Sequence, residues 1–190
     1  MKKHPVFDTI MARRSIRSFT DKPVPHELVE FLLKAAMAAP SACNLQPWAF
    51  IAVDEPERLS RLKDTTGQGN YNAPLAITVC GISSHIPWEG DGWIQDCGAA
   101  IQNIQLECVE LGLASVCIGG FDEDELRLLL DIPDDVQPLC IVEIGYPAYE
   151  REPLTWYTDE AVHWQKYDRE KPRTFRTMQM LQDDIVSGKL

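Results

Sequence analysis

Hydrophobic positions recur along this chain in two rhythms, and the changes from one to the other mark out its elements. Leu28, Phe31, Leu32, Ala35 and Ala36 return at the three- and four-residue steps of a one-sided helix, which Pro40 ends because the residue before a proline avoids helical geometry. Phe7, Ile10 and Met11 predict an earlier helix over 7–17, running into the basic stretch Arg13-Arg14-Ser15-Ile16-Arg17. Trp48 to Val53 reads as a strand, Pro56 to Lys63 as a short helix opened by proline, and Leu75 to Ile82 as a continuous apolar strand. From Trp93 to Leu111, the positions Cys97, Ile101, Ile104, Cys108 and Leu111 describe a long helix buried along one stripe. Gly112 stops it, Ala114 to Ile118 reads as a strand, and Gly119-Gly120 makes a sharp passage onward. Asp122 with Glu125 three residues later resembles a capping box for a helix through Leu130, and Pro138 to Tyr146 is a fourth apolar strand. Strands alternating with helices imply an α/β layered domain in which helices cover a mixed sheet.

Beyond Pro147 the pattern breaks. Trp156, Tyr157, Trp164, Tyr167, Phe175, Met178, Met180 and Leu181 stand among charged residues, too many large apolar groups to be solvated comfortably. The chain therefore divides into a single domain over 1–150 and an arm over 151–190 that needs a surface to lie against. With 190 residues and 45% hydrophobic content, the domain can build a real core.

Charge and cysteine usage narrow the function. A formal net charge of -11 argues against nucleic acid and anionic membranes, both of which reward a basic footprint. The longest apolar run, Leu75 to Ile82, is too short to span a bilayer, and Lys2, Lys3 and His4 lead into Pro5 without a secretory apolar segment, so a soluble, cytoplasmic protein is expected. Cys43, Cys80, Cys97, Cys108, Cys117 and Cys140 show no metal-ligand or C-x-x-C spacing and read as reduced core residues. His4, His26, His85 and His163 are scattered and receive no role. The glycine pair lacks the third glycine and the acidic partner of a dinucleotide-binding turn.

Three constellations could carry chemistry. Arg13, Arg14 and Arg17 concentrate positive charge around Ser15, a setting for a compact anion; the plainer reading is a solvated basic helix end. The run Pro40-Ser41-Ala42-Cys43-Asn44-Leu45-Gln46-Pro47-Trp48 holds amides and a hydroxyl between two prolines, suiting the edge of a heterocycle, or else forms an ordinary turn bonded to its own backbone. Ile118-Gly119-Gly120 lets backbone N–H groups approach a flat ligand, or simply ends a strand.

Their order and spacing resemble the FMN-dependent nitroreductase family from about Phe7 to His163. The matching pieces are Arg13 to Phe19, Ala38 to Trp48, Asn72-Ala73-Pro74, the Asp96 to Asn103 helix leading into Leu111-Gly112-Leu113, Ile118 to Phe121, and Gly145-Tyr146-Pro147. The resemblance implies a mainly antiparallel central sheet flanked by helices, in a homodimer that exchanges C-terminal arms and holds FMN at the subunit interface. It implies that Arg13, Ser15 and Arg17 hold the phosphate and ribityl chain, with Arg14 at the flavin edge. The loop from Pro40 to Gln46, through Ser41, Ala42 and Asn44, reaches the flavin from the other subunit. Gly119 offers its N–H to flavin N5 with Ile118 and Gly120 beside it, and Asp96 falls near the ring. NADH or NADPH then donates hydride, and a nitroaromatic, quinone or similar small acceptor takes the electrons in a ping-pong cycle. A non-catalytic FMN store or sensor, a relative with another reductive reaction, and an α/β domain binding some other phosphate are the competing readings.

One departure stands out. Where many members carry a basic residue before the segment matching Asp159 to His163, this chain has Thr155-Trp156-Tyr157, and Arg151 is the nearest arginine. Arg151 either takes over that contact or leaves FMN held by the first segment alone. Asn70 and Tyr71 are further candidates to cover the flavin, and His85-Ile86-Pro87-Trp88 with Trp93 to wall the acceptor pocket.

Overall fold

The computed structural model describes residues 4–67, 71–82, 90–152, 157–172 and 177–186. Lys2, Lys3, Asn70, His85 to Trp88, Thr155, Trp156 and Phe175, and the side chain of Leu181, lie outside the described residues. Helices α1 (Pro5–Ala12) and α2 (His26–Met37) precede strand β1 (Trp48–Val53). Helix α3 (Pro56–Thr66), strand β2 (Leu75–Gly81), helix α4 (Gly92–Glu110) and strand β3 (Ala114–Ile118) follow. Then come helix α5 (Glu123–Leu130), strand β4 (Gln137–Gly145) and helix α6 (Met178–Val186). All four expected strands are present, in the order β1-β2-β4-β3. Every neighbouring pair is antiparallel, and among the described residues the parallel component is reduced to one isolated bridge between Ser15 and Ser115.

Strand alternation sends the two faces of the sheet to different helices. Leu75, Ile77, Val79, Val142 and Ile144 face α2 and α4, where Leu32, Ala36, Cys97, Ile104 and Cys108 complete one core. Ala76, Cys80 and Ile141 face α3 and α5, packing with Leu59, Leu62, Leu126 and Leu129. Each fully buried aliphatic side chain here contributes roughly 1.5–3 kcal/mol. Helix α4 seats its first turn on the end of β2: Trp93 packs so closely over Gly81 that a Cβ there would stand 2.0 Å from the indole. Asp122 caps α5 as expected, its carboxylate accepting from the Glu125 N–H at 3.0 Å, and Gly112 turns out of α4 at φ +68°.

Two expectations change. Helix α1 ends at Ala12 instead of running through Arg17, because Arg13 is already extended. Ile16 and Phe19 are buried under the sheet edge, and the Ile16 N–H donates to the Ser115 carbonyl at 3.1 Å, so packing draws the basic run out beside β3. Cys43 and Cys117 are exposed rather than core residues; the first lies in a surface loop and the second in β3, the edge strand of the sheet.

The chain separates into two compact units, Met1–Pro153 and Leu154–Leu190. The second carries a 3-10 turn at Asp159–Ala161 and α6, with the His163 and Tyr167 rings stacked at 4.2 Å. Its Tyr157, Trp164 and Met178 are largely exposed, Trp164 at 78%.

Candidate functional site

The extended run from Arg13 to Phe19 is pinned at several points. Besides the Ile16 bond, Ala148 N–H donates to Ser18 O at 3.1 Å and Thr20 N–H to Tyr146 O at 2.9 Å. Asn72 acts as a surrogate strand: its carbonyl accepts from Phe19 N–H at 2.9 Å and its amide donates to Phe19 O at 2.5 Å. Gly145 makes room beneath, since a Cβ there would stand 3.1 Å from the Phe19 side chain and 2.6 Å from Pro74. Burying Ile16 and Phe19 leaves the intervening Arg17 exposed.

Arg13, Arg14 and Arg151 line one cleft of about 420 Å³, together with Tyr149, Glu150, Ser115 and Gln105. The Arg151 guanidinium lies 5.1 Å from the centre of the Tyr149 ring, and the Tyr149 hydroxyl is 3.5 Å from the Arg17 N–H. Burial holds the Arg14 guanidinium below its usual pKa, and the charges of Arg151, Arg13 and Arg17 push the same way against a smaller opposing effect from Tyr149. Among the described residues, none of these four guanidiniums is ion-paired to a carboxylate. Such an accumulation of positive charge in a chain of net charge -11 favours anionic groups through charge-assisted hydrogen bonds. Sequence reasoning left Arg151 open and missed Tyr149 and Gln105; the placement of Gln105 inside the buried stripe of α4 was the available signal.

The second constellation forms a tight polar loop. Cys43, Asn44 and Gln46 all adopt left-handed backbone conformations, at φ 49°, 56° and 52°, the kind of strain that a surrounding scaffold must hold in place. Ser41 Oγ accepts from the Gln46 N–H at 3.0 Å, and the Gln46 amide donates to Asn44 Oδ1 at 3.2 Å. Asp96, on the first turns of α4, accepts from the Ala42 N–H with both oxygens at 3.2 and 3.1 Å. Asp96 therefore joins the site as the anchor of this loop. Pro40 is exposed at its entrance.

The third lies at the end of β3. Ile118 is buried, whereas Gly119 and Gly120 are exposed, and a Cβ on Gly119 would meet nothing within 4 Å. The glycine stands in an open clearing.

Strand register fixes how the three relate. β1 begins at Trp48 opposite Gly81, Gly81 also faces Gln137 at the start of β4, and β3 ends with Ile118 opposite Ile141. The polar loop and the glycine turn thus head toward the same end of the sheet from opposite edges, three strand spacings apart (about 14 Å across the sheet), with β3 ending four β4 residues short of the row of Trp48, Gly81 and Gln137. The arginine cleft sits at the other end of β3, beside Ser115 and Pro147. Within one chain, Arg13, Arg14 and Arg151 come together, as do Ser41, Ala42, Asn44, Gln46 and Asp96, but the two groups do not meet.

A sequence profile described as the Nitroreductase family matches residues 10–76 and 89–146. The chain belongs to the nitroreductase family. Among nitroreductase relatives, a protein of Archaeoglobus fulgidus with the provisional name NADH dehydrogenase/NAD(P)H nitroreductase is 40% identical over 168 residues, covering 85% of this chain and 95% of its own. A Bacillus subtilis FMN reductase [NAD(P)H] is 28% identical, over 85% of this chain and 73% of its own. The solved structure of an FMN-dependent nitroreductase from Clostridium difficile R20291 superposes with a TM-score of 0.74 at 32% identity, covering 85% of this chain and 99% of that one. The nitroreductase fold thus accounts for the four-stranded sheet and the helices on its two faces.

Proposed function

We propose that this chain is an FMN-dependent NAD(P)H oxidoreductase, working as a homodimer and reducing a nitroaromatic, quinone or similar small acceptor in a ping-pong cycle. The observation that carries the reading is the cluster of Arg13, Arg14, Arg17 and Arg151, without carboxylate partners among the described residues and with three of the four lining one cleft. The FMN and NAD(P)H named for relatives supply the ligand chemistry that such a cluster fits.

The residues fit the cofactor along β3. Arg13, Arg14 and Arg151 offer the forked donors that a phosphate accepts, with Ser15 and Arg17 flanking the ribityl path. Gly119 lies four residue steps along the chain from Ser115, about 13 Å, a distance that a five-carbon chain and a fused ring system can bridge. At the far end the Gly119 clearing admits a flat ring edge-on to a backbone N–H, with Ile118 and Gly120 beside it. Bound there, FMN would supply hydride chemistry at its N5 atom, between the nicotinamide donor and the acceptor. This chain's own part is to orient the ring, donate to it from Gly119 and set a positive field near it from Arg14.

The second subunit follows from the register. Ser41, Ala42, Asn44 and Gln46 cannot join the arginine cleft of their own chain, so a symmetric partner supplies them. Helix α1 buries none of its residues and exposes Val6, Phe7 and Ile10, Val6 at 70%, while Phe31 and Met37 of α2 are also open. That apolar area suits a subunit interface, and the exposed aromatic groups of residues 151–190 suit an arm laid on the partner.

Reconstitution tests this directly. Protein desalted after incubation with FMN is expected to be yellow and to bleach rapidly on anaerobic addition of NADH or NADPH. Yellow protein that resists both donors would favour a flavin store or sensor, and colourless protein would refute FMN binding. Arg13→Ala with Arg17→Ala should reduce retained FMN at least tenfold, measured by absorbance; unchanged flavin content would remove the phosphate assignment.

A further inference from the structure

Gln105 breaks the pattern of its helix. It lies on the buried stripe of α4 with Ile101, Ile104 and Cys108 and is 7% exposed. Its amide makes no hydrogen bond to any described residue, although a buried amide without a partner costs more than an apolar side chain of the same shape. Nor is it sealed off like the buried unpartnered atoms of Thr78, Trp93 and Glu143: Gln105 lines the cleft that also holds Arg13, Arg14 and Arg151. The neighbouring Ser115 hydroxyl is engaged with the Cys108 thiol. A neutral amide facing guanidinium groups adds donors without adding to their mutual repulsion, and its oxygen can accept from a hydroxyl.

We propose that Gln105 is a ligand-recognition residue for the phosphomonoester end of the bound molecule, making the cleft selective for phosphorylated over unphosphorylated flavin. This rests on the FMN reading above and adds to it a residue that reads the phosphoryl terminus rather than the ring. Leucine at position 105 keeps the volume and the apolar character of the helix stripe. It removes only the amide's hydrogen bonds.

Calorimetric titration of the full chain with FMN and with riboflavin tests the assignment. Gln105→Leu is expected to weaken FMN about tenfold, the loss of one bond to a charged group, and to leave riboflavin unchanged. Gln105→Glu should weaken FMN further by repelling the phosphate, while raising the melting temperature of the flavin-free protein by neutralising the arginines. This second variant carries the comparison should the leucine variant fail to fold. Equal losses for both ligands, or no loss for either, overturn the proposal. Should the unaltered protein bind neither flavin, the FMN reading fails and inorganic phosphate decides: stabilisation that disappears in Gln105→Leu supports phosphoryl recognition, and its absence overturns it.

Discussion

Two residues outside the arginine cleft carry chemistry of their own. Glu143 projects from β4 toward the α3 and α5 side, 2% exposed, with Oε2 unpartnered. Burial pushes its carboxyl from 4.5 up to about 7, against a smaller lowering by Lys63. The unfolded chain therefore releases this proton before the folded chain does, so stability falls as pH rises from about 4.5 to about 7 and is level above. That range corresponds to about 3 kcal/mol. Glu143→Gln, which stays neutral, should melt several degrees higher than the unaltered protein at pH 8 and lose most of this advantage at pH 5; equal differences at both would refute it. Cys117 offers a second test. It is exposed, and a hydrogen bond from the Cys140 thiol on the adjacent strand holds it below its usual pKa, whereas burial pushes Cys97 and Cys108 up to about 12. Peptide mapping after brief iodoacetamide treatment at pH 7.5 should find Cys117 alkylated well ahead of those two, and Cys140→Ala should slow it. Undiminished labelling in that variant would exclude the thiol pair.

At the level of elements, short connections decide whether the site holds together. The loop from Ser41 to Gln46 keeps three residues in left-handed geometry, each a cost of about 1 kcal/mol or more, and its tie to α4 is the Asp96 carboxylate on the Ala42 N–H. Asp96→Ala should leave the sheet intact by circular dichroism, open the loop to proteolysis and weaken FMN several-fold. Asp96→Asn, which keeps one acceptor, should recover most of the loss; a variant with unchanged FMN affinity would separate the loop from the ligand. The same contrast explains what was legible in the sequence. The strands, α2, α4 and the Asp122 cap are written in local periodicity and capping chemistry, which a linear pattern carries. The end of α1 is not: Arg13 to Phe19 has a helical look until Ser115, Asn72 and Gly145, remote in sequence, give it strand partners and room. Arg151 and Tyr149 join the arginines through that same docked segment, and Gln105 becomes visible as a candidate only once the cleft beneath it exists.

For the whole molecule, the decisive matter is whether one chain can form the site. The register sends the arginine cleft and the polar loop to opposite ends of the sheet, with β2 and β4 between their edges. In a twofold dimer each of two equivalent sites would draw arginines from one subunit and Ser41 with Asn44 from the other. One copy carrying Arg13→Ala and Arg151→Ala and a second carrying Ser41→Ala and Asn44→Ala should each bind little FMN as homodimers. Coexpressed and isolated through two different affinity tags, the heterodimer concentrates all four substitutions in one site and leaves the other intact. It should hold one FMN per dimer, with affinity and bleaching by NAD(P)H like those of the unaltered protein. Were each site built from a single chain, every site of the heterodimer would remain damaged and nothing would be restored. Recovery of half the flavin thus cannot come from partial tolerance of the substitutions, since the homodimers measure that tolerance directly.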